Sequence, residues 1–191
     1  LALPSQKQRP TVKTYNGATL NKMIDKHLLK ELKKISKSEG STLFMGLLSL
    51  VKILFYKYTQ QEDIIIGSAI AGREHFDLGD QIGFFVNTLT LRTRFEKEDS
   101  FISLLKKVKE VALGAYEHQI YPLDELLSDL SLKRDMSRNA LFDVMVDLQK
   151  NKELWNITKK GEKYYEAYTI TFSADESQIA VTSSSKNNSL F

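Results

Sequence analysis

The chain contains no cysteine. Disulfides and thiolate-held zinc are thereby excluded, a pattern that suits the cytoplasm. Histidine is scarce too: His27, His75 and His118 lie far apart, and none has a second ligand at metal-binding spacing. No run is apolar for long enough to span a bilayer, since the longest, Leu43 to Val51, stops at Lys52. No cationic segment followed by an apolar run opens the chain, so no secretory signal is read. The start, Leu1-Ala2-Leu3-Pro4, lacks a Met and is expected to be the cut end of a larger protein. Charge of one sign is missing as well: 27 Lys and Arg offset 24 Asp and Glu, and a net +3 is too little to argue for nucleic acid. There is no serine nucleophile elbow and no glycine-rich dinucleotide fingerprint.

What is present describes a soluble globular protein, 42% hydrophobic and 27% charged, long enough for one large or two small domains. Residues 1 to 13, with Pro4 and Pro10, read as an exposed linker. Asp25 caps a predicted helix with Leu28, Leu29, Leu32 and Ile35 on one face. Its lysines, Lys26, Lys30, Lys33, Lys34 and Lys37, lack the arginine and aromatic company of a nucleic-acid patch and read as a solvated face. Gly40 ends that helix. The next, roughly 42 to 59, is apolar almost all round and is expected to be buried on several sides.

Asp63 to Ile66 reads as an interior strand. Gly67-Ser68-Ala69-Ile70-Ala71-Gly72 after it has the glycine spacing of a phosphate loop, but Arg73 and Glu74 stand where Lys and Ser or Thr are needed, so tight turning is the expected role of both glycines. Ser100 caps the clearest amphipathic helix, with Phe101, Leu104, Leu105, Val108, Val111, Ala112 and Ala115 on one face. It runs out near His118-Gln119, where His118 is a candidate buried hydrogen-bonding residue. Tyr121-Pro122 breaks the chain before a short helix, Leu123 to Leu130. A polar loop, 131 to 140, leads into a predicted strand from Leu141 to Leu148. Tyr164 to Phe172 and Gln178 to Ser184 read as a hairpin.

The organising stretch is Ile82 to Arg92, a predicted strand running on to Phe95. Alternation puts Val86, Thr88, Thr90 and Arg92 on one side and Asn87, Leu89 and Leu91 on the other. Asn87 therefore falls on the apolar side, where a buried amide must find partners. It is either a structural pin or part of a site. From the residues alone the chain is a mixed α/β domain without a complete catalytic constellation.

Three stretches together resemble a known family. Ile82 to Arg92, with Gly83, Phe85, Val86, Asn87, Thr88 and Arg92, resembles the (Ile/Val)-Gly-x-Phe-Val-Asn-Thr-x-x-x-Arg motif of nonribosomal peptide synthetase condensation domains. His118-Gln119-Ile120-Tyr121-Pro122-Leu123-Asp124 resembles their His-Gln-Asp-Tyr-Pro-Phe-Glu motif, departing at Ile120, Leu123 and Asp124. Arg134-Asp135-Met136-Ser137-Arg138-Asn139-Ala140-Leu141 resembles Arg-Asp-x-Ser-Arg-Asn-Pro-Leu, with Ala140 in place of proline.

The resemblance covers only the second half of that domain. It implies an α/β fold, an α+β two-layer sandwich: one chloramphenicol acetyltransferase-like lobe, its mixed sheet covered by helices. Residues 1–13 would be the interlobe linker and 14–191 the C-terminal lobe. The full domain is expected to join a donor acyl or peptidyl group to an acceptor amine, both tethered as phosphopantetheine thioesters on carrier domains. The family's catalytic histidine belongs to a tandem-histidine motif in the N-terminal lobe, and no adjacent histidines occur here. No catalytic residue and no metal are therefore expected in this chain. Asn87, Arg134, Asp135, Ser137, Arg138 and Asn139 are candidates to line the tunnel between lobes, while His118, Gln119, Tyr121 and Pro122 are motif residues of structural kind. Implied partners are the N-terminal lobe, donor and acceptor carrier domains and an adjacent adenylation domain, without nucleic acid or membrane. A non-catalytic docking module, or a lobe of an epimerisation or heterocyclisation domain, are the alternatives.

Overall fold

The computed structural model describes residues 1–4, 10–12, 18–22, 24–132, 135–149, 168–173 and 179–183. They form one mixed six-stranded sheet: β1 (Ala18–Lys22), β2 (Asp63–Ile70), β3 (Asn87–Arg94), β4 (Val144–Gln149), β5 (Tyr168–Ser173) and β6 (Ile179–Ser183), in the order β1-β6-β5-β4-β2-β3. β2 runs antiparallel to β3 and parallel to β4, and β4 runs parallel to β5. β6 is antiparallel to both β5 and β1. The helices are α1 (Lys26–Ser38), α2 (Leu43–Thr59), α3 (Phe101–Glu117) and α4 (Leu123–Asp129). This is the expected α/β architecture, helices against a mixed sheet.

The core lies between α2, α3 and the middle of the sheet. Leu48 and Val51 of α2 and Leu104, Leu105, Val108 and Ala112 of α3 pack in one cluster with Ile64, Ile66, Leu89, Leu91, Val144 and Val146 of the strands. The α3 residues recur at helical spacing and the strand residues alternate, so each element offers the sheet–helix interface one continuous face. The caps read at Asp25 and Ser100 are present: Asp25 accepts from the amides of His27 and Leu28, and Ser100 from Ser103; Thr42 caps α2 by accepting from Met45.

Several expectations shift. The buried face of α1 is Leu29, Leu32 and Ser36, while Leu28 is 65% exposed and Ile35 37% exposed, because among the described elements α1 packs mainly on α2 and needs a narrow contact stripe. On α2, Leu50, Leu54 and Tyr58 form an exposed stripe one turn apart, so this helix keeps an open side. Lys52, expected to mark the end of an apolar run, is itself fully buried: its Nζ donates to the carbonyls of Ile64 and Leu91 at 2.9 Å each. Burial pulls its pKa down to about 7, although the charge of Asp63 works the other way.

β2 continues past Ile66 to Ile70, so Gly67 is a strand residue rather than a turn. What it provides is room, since a Cβ there would stand 2.6 Å from the Phe142 ring. The strand expected from Leu141 starts at Val144, because Phe142 turns under Gly67 and Asp143 is engaged by Arg138. β1 has no signal in the sequence: it is five residues at a sheet edge, ordered by pairing with β6. The expected hairpin is present as β5 and β6, and Tyr164, Tyr165 and its connection lie outside the described residues. In the stretch expected to be an exposed linker, Leu1 and Leu3 instead pack against the core.

Candidate functional site

The strand expected from Ile82 begins only at Asn87. Residues 82 to 86 belong to a loop held from the other side by Arg73. Its guanidinium donates to the carbonyls of Leu78, Gln81 and Gly83 and lies 4.4 Å from the centre of the Phe85 ring. Gly72, at φ +63°, makes the turn beneath, where any side chain would run into the carbonyl of Phe85. The backbone is drawn off the ladder, and Ile82, Phe84 and Val86 face outward, Ile82 and Phe84 almost completely exposed. Sequence reasoning leaves Arg73 without a role: it is a mismatch to a phosphate loop and part of the text flanking the first motif, and its carbonyl partners carry no side-chain signature.

Asn87 is a pin. Its Nδ2 donates to the carbonyls of Gln119 and Tyr121, both at 2.8 Å, and its Oδ1 accepts from the amides of Thr88 and Leu123. Both donors and the acceptor oxygen are thus used within the protein. The second motif is thereby strapped to the start of β3. His118 caps α3 at its C-terminal end and is exposed, not buried. Tyr121 reaches Asp129 through its hydroxyl, which raises its pKa. Pro122 stands directly before α4. Arg92 lies at the far end of β3, bound to Asp63 through both carboxylate oxygens, with Arg94 joining at 2.9 Å. These hydrogen bonds, Arg92 first, hold the Asp63 carboxyl down at about 2.

In the third motif Asp135 organises a turn: its Oδ1 accepts from the Ser137 amide at 2.8 Å and the Ser137 hydroxyl at 2.6 Å. Arg138 lies 3.6 Å from Asp135 and 3.8 Å from the buried Asp143, so the turn is anchored to the approach of β4. Asn139 is half-buried beside them. Arg134 lies outside the described residues. Further along β4, Asp147 bridges a gap in the sheet. β2 and β4 pair only at Gly67 and Met145, and beyond that point the Asp147 carboxylate accepts from the Ala69 amide at 2.9 Å. Burial raises its pKa.

The structure thus joins the first two motifs through Asn87, and Asp135 and Arg138 of the third bind within the chain. Among the described residues no group of histidine, cysteine and carboxylates could hold a metal ion. Arg73 and the 118–123 segment leave a surface of large apolar side chains: Phe76, Ile82, Phe84 and Ile120 are between 77% and 103% exposed.

A family model described as "Condensation domain" matches residues 1–190. Gramicidin S synthase 2 of Brevibacillus brevis is 43% identical over 149 residues, 78% of this chain and 3% of that protein. Bacitracin synthase 3 of Bacillus licheniformis is 47% identical over 149 residues, again 78% of this chain, and 2% of that protein. The chain therefore spans only a small part of the length of these relatives. The fold matches the solved condensation domain of the Monacolin K polyketide synthase with a TM-score of 0.77 at 21% identity, covering 96% of this chain and 45% of that one.

Proposed function

Because the chain belongs to the condensation domain family, we propose that it is the C-terminal lobe of a condensation domain in nonribosomal peptide synthesis. The lobe serves amide bond formation between a donor acyl or peptidyl thioester and an acceptor aminoacyl thioester, each carried on the phosphopantetheine of a carrier domain. The observation that supports this reading is the strapping of the first motif to the second by Asn87, which ties together two stretches distant in sequence.

Amine attack on a thioester needs orientation, a dry site and a proton acceptor. This lobe supplies the first two. Its edge walls one side of a tunnel, and the turn at Asp135, Ser137, Arg138 and Asn139 borders it together with Arg134. The base is the tandem-histidine motif of the N-terminal lobe. His27, His75 and His118 lie on separate elements: His27 sits on α1, His118 at the end of α3, and His75 accepts from the amide of Asp77 beside it.

The test is dipeptidyl-carrier formation from loaded donor and acceptor carriers. The chain alone is expected to give no product, and the chain with its N-terminal lobe is expected to restore turnover. Product from the chain alone would overturn the proposal.

A further inference from the structure

β4 parts from β2 early. The two strands pair only at Gly67 and Met145, and beyond that point a side chain takes the place of a ladder bond. The Asp147 Oδ1 accepts from the Ala69 amide at 2.9 Å and from the Ser68 hydroxyl at 3.4 Å. Among the described residues no donor reaches its Oδ2, and no lysine, arginine or histidine pairs with it. Val144 and Val146 belong to the core, so alternation puts Asp147 on the sheet face turned away from α2 and α3. Ala69 pairs with Thr88 and Ile70 with Asn87. Asp147 therefore stands one row from the amide that anchors the second motif.

A carboxylate is an unfavourable plug for such a gap. It is half-buried, and burial raises its pKa. An asparagine would accept from Ala69 as well and would carry no charge into the sheet. What asparagine lacks is a second anionic oxygen, and that is the atom left uncommitted here.

We propose that Asp147 is a binding residue for the acceptor amine: its Oδ2 accepts an N–H of the primary amine that attacks the donor thioester. This inference rests on the proposed function. The ligand class follows from the chemistry, since an ionised carboxylate only accepts hydrogen bonds and favours a cation or N–H donor over a carbonyl or an anion. Asp147 makes no covalent bond. The amine nitrogen bonds to the thioester carbon, the C–S bond breaks, and the sulfur leaves as the donor carrier's thiol. The proton lost by nitrogen goes to the base of the N-terminal lobe and from there to that sulfur. Holding one N–H fixes the direction of the nitrogen lone pair.

The test uses the intact condensation domain, both lobes together, with loaded donor and acceptor carriers. Two inhibitors compete with the acceptor carrier: the pantetheine amide of alanine, which has a primary amine, and that of lactate, which has a hydroxyl in its place. The parent is expected to bind the alanine probe at least tenfold more tightly. Asp147→Asn is expected to erase that preference, to raise the acceptor KM about tenfold and to leave the donor KM within twofold. A structural role alone would not single out the amine or the acceptor. If Asp147→Asn keeps the preference and the acceptor KM, the inference falls while the proposed function stands. If the parent forms no amide from loaded carriers, both fall. Should Asp147→Asn fail to fold, the parent decides, because equal binding of the two probes overturns the inference.

Discussion

The helix-covered middle of the sheet and the motif-bearing edge obey opposite rules. In the middle, Leu48, Leu91, Leu105, Val108, Val144 and Val146 are fully buried, and their positions follow from hydrophobic spacing. At the edge, Phe76, Ile82 and Phe84 stand in solvent while polar groups do the holding: Arg73 on carbonyls, Asn87 on the 118–123 segment, Asp135 on Ser137. The middle is closed to solvent, whereas the edge leaves large apolar side chains exposed. The motif residues Asn87, Asp135 and Arg138 bind within the chain, while large apolar neighbours stand exposed.

Substitutions can break this contrast. The largest effect is expected from Leu105→Ala, which leaves a cavity in the core and costs about 2–5 kcal/mol in denaturant unfolding. Ile82→Ala and Phe84→Ala are expected to stay within about 0.5 kcal/mol of the parent in the same measurement. A large loss from either would mean that the edge is packed in the free chain.

Next is Asn87→Ala. It removes the side-chain partner of two carbonyls and of the Thr88 and Leu123 amides, and about 1–3 kcal/mol is expected to be lost. Exchange should quicken at 119–123 before it does in α3.

Lys52 sharpens the comparison from the other side, as the charge inside the finished half. Its folded pKa, about 7, lies below the unfolded value near 10.4. Between those values the unfolded chain binds more protons, so stability rises with pH. The expected gain from pH 7 to pH 9 is about 2 kcal/mol, and Lys52→Met should flatten the profile. A flat parent profile would place the ammonium in contact with water.

Smallest is the exposed Asp63 ion pair with Arg92 and Arg94. Its carboxyl is held low, so this contribution is present above the unfolded pKa near 4 and is lost as pH falls toward 2. Asp63→Asn is expected to cost under about 1 kcal/mol at neutral pH and to remove that acid dependence.

Much of the middle is legible in the sequence because burial imposes a period. The stripe of α3, the caps at Asp25 and Ser100, and the position of Asn87 on the inward side of β3 all follow from spacing. The edge is less legible. Its backbone is set by side chains gripping carbonyls, which any sequence offers at every position, so neither the grip of Arg73 nor the loss of strand at 82–86 has a local signature. Lys52 is hidden for a related reason, since its partners are the carbonyls of Ile64 and Leu91. β1 depends on a partner strand more than a hundred residues away, and pairing of that range leaves no trace in a five-residue window.

The central claim is that this chain shapes the site and the other lobe supplies the base. Its most direct test is dipeptidyl-carrier formation by the reconstituted domain with His27, His75 and His118 of this chain all replaced by glutamine. The account expects turnover within about threefold of the parent and its complete loss on replacing the second histidine of the tandem pair in the N-terminal lobe. A collapse of turnover in the triple variant, with lobe affinity unchanged, would contradict it.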